Sequence, residues 1–348
     1  MNIKDYGFTD EFESEASEYE ALTAARITSQ ERGLYTAVCS VGEVLAELSG
    51  RLMYKAETAN DYPAVGDFVM LDLFENSNAV IHSILSRKSV FFRRAAGTPQ
   101  QRQIIAANVD TVFICTSLNS DFNLRRLERY ISAVSESGAS PVIVLTKCDL
   151  CDPSNYIHQV KSEIAGNIPT IETKALAEEG YSEILPFLPR GKTAAFAGSS
   201  GVGKSTLINR LLNEDRLETS AIRGDGRGRH TTTRRELILL PSGAMVIDTP
   251  GMREFGLYET YGVDAAFSDV GHLTQMCRYK NCSHGSEPGC AVQAAILDGK
   301  LTAKRWQSYI KLKNEVDYAA DSESYMKTKK NKFREIAKQN RKNNRRRG

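Results

Sequence analysis

The stretch GSSGVGKST, residues 198–206, decides the fold of this 348-residue chain. It fits the pattern G-x-x-x-x-G-K-[ST], in which glycines let backbone N–H groups curl around the β-phosphate of a nucleoside triphosphate. The apolar run AAFA at 194–197 precedes it, and a helical pattern opens with TLIN at 206–209. Strand, loop and helix form the context that a phosphate-binding loop needs, because the helix N-terminus adds positive potential.

Each position of this loop is a predicted nucleotide contact: Gly198, Ser199, Ser200, Gly201, Val202, Gly203, Lys204, Ser205 and Thr206. Within the loop, Lys204 is expected to bridge the β- and γ-phosphates and to act in catalysis. Ser205 is expected to supply a ligand to Mg²⁺.

A second motif, MVIDTPG at 245–251, is typical of a buried strand that ends in an acidic residue and a tight turn. Asp248 is predicted to hold Mg²⁺ through water, and the Gly251 N–H to contact the γ-phosphate. DTPG alone says little, but at this distance from a phosphate loop it indicates the second half of a nucleotide site.

The segment LTKCDL at 145–150 indicates which base is bound. A carboxylate at Asp149 accepts from both N1–H and the 2-amino group of guanine, a pair of donors that adenine lacks. Lys147 can lay its aliphatic stem along the base. Thr146 stands where GTPases usually carry Asn, so we expect guanine specificity with weaker affinity. The backbone N–H of Ala175 is a further predicted contact, to guanine O6.

The order of these motifs differs from that of ordinary GTPases, in which the phosphate loop comes first. Here base recognition precedes the phosphate loop, and DTPG follows it. From about residue 105, apolar runs such as VDTVFICTSL alternate with helical stretches, which is the rhythm of a parallel sheet with helices on both faces. We therefore predict a circularly permuted α/β domain whose loop after Asp248 leads directly into the C-terminal part and would move it on hydrolysis.

Residues 223–233, RGDGRGRHTTT, form a glycine-punctuated basic segment between the two phosphate motifs. One threonine is expected to close on Mg²⁺ and the γ-phosphate, with Thr232 favoured over its neighbours. Met252 follows the DTPG turn where Ras-like enzymes place a water-orienting Gln, so intrinsic hydrolysis should be slow. His230 is the candidate catalytic group, since an imidazole can orient water or accept its proton. The alternative is a histidine that contacts RNA or solvent.

Three cysteines and one histidine cluster as Cys-x4-Cys-x-His-x5-Cys at Cys277, Cys282, His284 and Cys290. Three thiolates and an imidazole complete a tetrahedral shell with no open position, which predicts one structural zinc ion. The total of seven cysteines is odd and argues against a disulfide framework.

Composition indicates a multidomain chain that is neither secreted nor membrane-bound, because neither a long apolar run nor a basic-then-apolar leader is present. Short β-rich runs at about 33–95 (LYTAVCSV, EVLAELSG, GDFVMLDLF, AVIHSILS, SVFFRR) predict an OB-fold barrel, with a plain β-barrel spacer as the alternative. The start of the chain is acidic, whereas residues 327–348 contain eleven Lys or Arg and one Glu. Such a tail suits a solvated segment, a polyanion partner, or both.

Taken with these motifs, NVDTVFICTSLNSDFNLRRLERY at 108–130 resembles the ribosome small-subunit-dependent GTPase family, RsgA. The resemblance covers roughly residues 30–315. It implies a late checkpoint in maturation of the small (30S) ribosomal subunit: the factor binds the particle and its 16S rRNA, is stimulated by it, and leaves after GTP hydrolysis. It also implies that the nucleotide and zinc residues named above bind GTP·Mg²⁺ and zinc, and it matches His230 to the histidine before the switch threonines.

These inferences predict five segments: an acidic extension (1–32), an OB-fold RNA-binding domain (33–96), a permuted GTPase domain (97–264), a mainly helical zinc-binding domain (265–326) and a basic disordered tail (327–348). We expect a cytoplasmic monomer that binds GTP or GDP and no membrane. Two other functions are weighed against the ribosome-activated GTPase. One is a GTP-gated RNA-binding module in which turnover is incidental; the other is a membrane or signalling switch, which the missing lipidation motif disfavours.

Overall fold

The structure is a computed structural model that describes residues 2–31, 33–74, 77–95, 98–118, 122–164, 168–175, 177, 179–217, 235–248, 260–285 and 287–317. Its strands are β1 (Thr23–Glu31), β2 (Leu34–Cys39), β3 (Gly42–Leu48), β4 (Phe68–Leu73), β5 (Asn78–Ile84), β6 (Val90–Ala95), β7 (Thr98–Ala107), β8 (Thr111–Ser117), β9 (Ser140–Thr146), β10 (Thr170–Glu172), β11 (Thr193–Ala197), β12 (Arg235–Leu239) and β13 (Met245–Asp248). Its helices are α1 (Asp10–Ala16), α2 (Gly50–Lys55), α3 (Leu124–Ser137), α4 (Ser154–Glu163), α5 (Lys204–Leu212), α6 (Thr260–Ala266), α7 (Ser268–Gln275), α8 (Ala291–Leu297) and α9 (303–317).

One continuous sheet runs through the described part of the chain in the order β10-β9-β8-β11-β13-β12-β1-β2-β3-β5-β4. Strands β10, β9, β8, β11 and β13 are parallel, and β12 pairs antiparallel with β13. β11 lies between a strand that precedes it in sequence and one that follows it. Open α/β sheets bind ligands at such a reversal, at the carboxyl ends of the strands. The α/β prediction is therefore confirmed, with the phosphate loop at that end of β11.

The other end of the sheet closes into a five-stranded barrel. Its strands follow the order β1-β2-β3-β5-β4, and pairing of β4 with β1 closes the ring. Four barrel strands were predicted correctly. The prediction that SVFFRR forms the fifth is wrong: β6 pairs with β7 in a separate two-stranded sheet. The fifth strand is β1, which lies wholly within the segment predicted to be an acidic extension. Its alternation is hard to read because consecutive residues 25–29 are all buried.

Strand β1 belongs to both units because its two ends have different neighbours. Thr23 to Arg26 pair with β4 in the barrel, whereas Ser29 and Gln30 pair with Glu236 and Arg235 of β12. The barrel is thereby hydrogen-bonded to the strand that follows residues 218–234.

The start of the chain folds onto the barrel and the central sheet. Phe8 and Phe12 are buried against Phe68, with the Phe12 and Phe68 ring centroids 4.3 Å apart. Glu15 accepts from the Ser86 backbone N–H at 2.9 Å. The Glu15 carboxylate and the aromatic cluster therefore attach the start of the chain to the barrel.

Arg26 is 1% exposed where the N-terminal segment, the barrel and the central sheet meet. Its guanidinium donates to three backbone carbonyls: Tyr6 at 2.5 Å, Gly66 at 3.2 Å and Asn108 at 3.1 Å. Burial lowers the pKa of Arg26 to about 10. The carbonyl oxygens partly replace the hydration that the cation loses.

The C-terminal helices share a core with helix α3. Asn123 caps α3 by accepting from the backbone N–H groups of Arg125 and Arg126, and the helix ends at Gly138 in the left-handed region. Its apolar face and the buried side chains of α6 to α9 belong to one cluster that continues to the central sheet. Within the described residues, no helix has the length and apolar character that a membrane span requires.

Candidate functional site

The phosphate loop connects β11 to α5, which begins at Lys204. Gly198 has a φ of +132°, and a Cβ there would lie 2.2 Å from the Cys115 carbonyl oxygen, so a side chain is excluded. The Lys204 ammonium donates to the carbonyls of Gly198 at 2.7 Å and Ser199 at 2.6 Å. Burial raises the pKa of the Cys115 thiol to about 12, so this neighbour stays neutral.

Thr146, the residue predicted to weaken base binding, is 2% exposed at the end of β9. Its hydroxyl lies 2.6 Å from the Val202 carbonyl of the phosphate loop and 3.3 Å from the Thr116 carbonyl. A hydroxyl has one proton to donate, and the protein backbone takes it. Thr146 therefore joins the base-recognition segment to the phosphate loop.

Lys147 and Asp149 follow in a turn that is held by the neighbouring strand. Lys147 has a φ of +60°, and the Cys148 N–H donates to the Thr173 carbonyl at 3.2 Å. Cys148 is buried inside the turn, whereas the Asp149 side chain is exposed. This exposure leaves the Asp149 carboxylate accessible to the guanine base of a nucleotide.

Ala175 lies in the next loop, which the helix after the phosphate loop fastens. Arg210 of α5 donates from Nε to the Ala175 carbonyl at 2.9 Å. The Lys174 N–H donates to the Gly180 carbonyl at 2.7 Å and closes the loop. Direct hydrogen bonds thus link the 146–149 segment to the phosphate loop, and the Ala175 loop to the helix that follows the phosphate loop.

The predicted Mg²⁺ ligands are partly described. Ser205 is the second residue of α5, and Asp248 is the last residue of β13, the strand beside β11. The Ser205 hydroxyl at the start of α5 and the Asp248 carboxylate at the end of β13 fit the oxygen preference of Mg²⁺. Thr232, His230 and Gly251 lie outside the described residues.

The predicted zinc ligands converge in space. One ligand atom from each of Cys277, Cys282, His284 and Cys290 lies within 4.8 Å of all the others. The Cys277 sulfur is 3.4 Å from His284 Nδ1 and 3.9 Å from the Cys290 sulfur. These distances and this donor set fit a tetrahedral zinc site, with Nδ1 facing the cluster.

Residues that the sequence analysis missed support this cluster. Glu287 accepts from the backbone N–H groups of Ser283 and Gly285, each at 2.8 Å, and the hydrogen bonds from Ser283 lower the pKa of Glu287 to about 2. Gln293 donates to the His284 carbonyl at 2.6 Å. Trp306 of α9 meets the His284 ring edge-on, with centroids 5.2 Å apart. The position of Glu287 between two of the ligands could have indicated its role from the sequence. The contact of Trp306 with His284 could not, because it depends on tertiary structure.

Arg126 is a further residue that the motifs did not indicate. From the first turn of α3 its guanidinium donates to the Ser199 hydroxyl of the phosphate loop. The two residues are far apart in sequence, so spacing carries no signal for the pair.

Comparisons with known proteins agree with this arrangement. A model of the RsgA GTPase family matches residues 84–258. The chain is 45% identical over 319 residues to small ribosomal subunit biogenesis GTPase RsgA 2 of Lactiplantibacillus plantarum, covering 91% of this chain and 90% of the relative. It is 41% identical over 338 residues to small ribosomal subunit biogenesis GTPase RsgA of Methanosarcina acetivorans, covering 95% of this chain and 90% of the relative.

Two solved structures share the fold. YjeQ from Thermotoga maritima superposes with a TM-score of 0.65 at 24% identity and covers 85% of this chain and 98% of its own. YloQ, described as a circularly permuted GTPase, superposes with a TM-score of 0.62 at 22% identity and covers 86% of this chain and 96% of its own. The permuted order deduced from the motifs is confirmed.

Proposed function

Because the chain belongs to the RsgA family of GTPases, we propose that it is a maturation factor whose GTP hydrolysis the small ribosomal subunit activates. In this proposal the factor binds the nearly mature 30S particle and its 16S rRNA in the GTP state. Hydrolysis then releases it, so turnover acts as a late assembly checkpoint. A cytoplasmic monomer that binds no membrane suits this role.

The observation that carries the proposal is that hydrogen bonds connect the base-recognition segments to the phosphate loop and to the helix that follows it, around one sheet edge. Thr146 bonds the phosphate loop, and Arg210 bonds the loop of Ala175. In the proposed GTP complex, Asp149 accepts from guanine, Lys147 covers the base, and Lys204 meets the β- and γ-phosphates. We propose as GTP contacts all the residues predicted above: Thr146, Lys147, Asp149, Ala175, Gly198 to Thr206, Asp248 and Gly251.

The metal ions follow from the donor sets. Ser205, Asp248 and Thr232 would hold Mg²⁺, which neutralises charge on the phosphates when bound. Cys277, Cys282, His284 and Cys290 would hold one zinc ion, which stabilises the surrounding loops rather than taking part in the reaction.

The barrel is connected to the catalytic segment through the sheet. β1 pairs with Arg235 and Glu236, the first described residues after the segment that contains His230 and Thr232. An rRNA contact on the barrel would therefore act, through β1, on Arg235 and Glu236, which directly follow that segment in the chain. This connection supports activation by a bound particle, because ordering a segment is an established way to switch a GTPase.

The division into domains remains our proposal, with β1 now assigned to the barrel. Its strand order supports an OB-fold, a barrel that commonly binds nucleic acids. The zinc-binding helical domain and the basic tail at 327–348 would extend the contact with rRNA phosphates. A salt titration of subunit binding tests the tail, because removing residues 327–348 should flatten the dependence on salt.

His230 is the proposed catalytic group, since Met252 cannot orient water. A His230→Ala protein should still bind GTP and the small subunit but lose most of the stimulated turnover. Full stimulated turnover by this variant would refute the assignment.

The alternative is a GTP-gated RNA-binding module in which turnover is incidental. GTP turnover by the zinc-loaded protein, measured with and without purified small subunits, separates the two functions. Stimulation that large subunits do not reproduce supports the proposal. RNA binding that depends on GTP without any stimulation would favour the alternative.

A further inference from the structure

Arg126 connects helix α3 to the phosphate loop. It lies in the first turn of the helix, where its backbone N–H donates to the Asn123 side chain at 3.2 Å. Its guanidinium donates from Nη1 to the Ser199 hydroxyl. A hydrogen bond from a charged donor is stronger than one between neutral groups. The first turn of α3 is thus an anchor for the phosphate loop.

Ser199 is held by two cations, one on each of its polar oxygens. Arg126 donates to the hydroxyl, and Lys204 donates to the carbonyl at 2.6 Å. Lys204 also donates to the Gly198 carbonyl at 2.7 Å. An ammonium has three N–H donors, so two carbonyls and two phosphate oxygens cannot all be bonded at once. Lys204 must therefore release at least one carbonyl of the loop when it bridges the β- and γ-phosphates.

Helix α3 is also bound to the C-terminal helix. Glu128, 1% exposed, accepts from Arg305 of α9 at 2.8 Å. The next residue, Arg129, donates two hydrogen bonds to Glu315, at 2.9 and 2.6 Å. The buried Glu128–Arg305 pair, and not the partly exposed Arg129–Glu315 pair, therefore supports the part of α3 from which Arg126 extends.

We propose that Arg126 is a positioning residue for the phosphate loop. It holds Ser199 in place when Lys204 turns from the loop carbonyls to the nucleotide phosphates. The proposal rests on the GTP site proposed above.

The test is a double-mutant cycle on GDP affinity, measured by calorimetry with the full-length zinc-loaded chain. Arg126→Ala and Ser199→Ala should each weaken GDP binding by about tenfold, the size expected for a charged hydrogen bond. The double variant should be no weaker than either single variant, because both remove the same interaction. Arg126→Lys should recover most of the loss.

Arg129→Ala is the matched control, because it removes an arginine from the same helix on the side that faces Glu315. Its GDP affinity should equal that of the unaltered protein. The proposal is overturned if Arg126→Ala leaves GDP affinity unchanged, if the two single losses multiply to about a hundredfold, or if Arg129→Ala loses as much. Ser199→Ala keeps the arginine, so it tests the hydrogen bond even if Arg126→Ala disturbs the helix.

Two failures remain distinguishable in this design. No GDP binding by the unaltered protein would contradict the proposed function itself. Normal binding by the unaltered protein together with an inert Arg126→Ala contradicts only the role of Arg126.

Discussion

Replacing Arg305 with Met should strongly lower the stability of the C-terminal helical part. Arg305 is 3% exposed and donates to Asp269 at 2.8 and 2.9 Å and to Glu128 at 2.8 Å. It also donates to the carbonyls of Glu163 at 2.6 Å and Ala266 at 3.1 Å. Methionine fills much of the same space but satisfies none of these acceptors.

The size of the loss follows from what each acceptor retains. Asp269 is 44% exposed and can be rehydrated, so its lost pair costs little. Glu128 is 1% exposed and keeps the Arg125 guanidinium and the Ser308 hydroxyl at 2.7 Å, so it loses one of its two arginine partners. The loss of one buried charged hydrogen bond to Glu128, together with the loss of the donor to the Glu163 and Ala266 carbonyls, costs about 3–5 kcal/mol. We expect a loss in that range for Arg305→Met.

Arg129→Met supplies the matched control. The Arg129 and Glu315 side chains are 38% and 30% exposed and connect the same two helices. A pair in contact with water contributes about 0–1 kcal/mol, so this variant should lose little. Adding Glu128→Gln to Arg305→Met should restore part of the stability, because it removes a buried charge that has lost one of its two arginine partners.

The assay is urea unfolding followed by fluorescence of Trp306, the single tryptophan of the chain. Trp306 lies beside Arg305 on α9 and against His284, so its emission reports the C-terminal helices rather than the barrel. Equal losses in Arg305→Met and Arg129→Met would refute the assignment of the energy to burial of the Glu128 pair.

Three further changes test other parts of the structure. Asp149→Asn offers guanine an amide in place of a carboxylate acceptor, so GTP affinity should fall by about a hundredfold or more, while xanthosine triphosphate should bind better. Competition binding measures both affinities, and an equal loss of affinity for the two nucleotides contradicts the role of Asp149. Removal of zinc with a chelator, or the substitution Cys282→Ser, should shift Trp306 emission to longer wavelength. Added zinc should restore the original emission only in the unaltered protein. An unchanged spectrum would argue against the zinc site. Phe12→Ala should lower the free energy of unfolding by about 3–5 kcal/mol and expose the N-terminal segment to proteases. Val41 is 70% exposed, so Val41→Ala should do neither. Equal protease resistance of the two variants would show that the aromatic cluster does not hold the segment.

The nucleotide and zinc motifs were predictable because local spacing encodes them. A phosphate loop needs glycines, a lysine and a helix start in one short run, and the zinc ligands lie within fourteen residues of one another. The comparisons confirm the family and the permuted order that these motifs implied. The roles of His230 and Thr232 stay predictions, since both lie outside the described residues.

The contacts between distant segments were not predictable. β1 pairs with both β4 and β12, so its residues are buried without the alternation that marks a half-exposed strand, and the barrel was assigned its wrong fifth strand. Arg126 and Ser199 meet only after α3 packs beside the sheet. The contact of the Thr146 hydroxyl with the phosphate loop also depends on tertiary structure, and the weaker base binding expected from Thr146 stays a prediction.

The most direct test of the checkpoint is co-sedimentation of the protein with small ribosomal subunits in GTP and in a non-hydrolysable GTP analogue. With the analogue, the protein should stay bound to the subunits. With GTP, turnover should rise and the protein should leave them, and His230→Ala should stay bound in both. Equal retention of the unaltered protein in GTP and in the analogue would contradict release by hydrolysis.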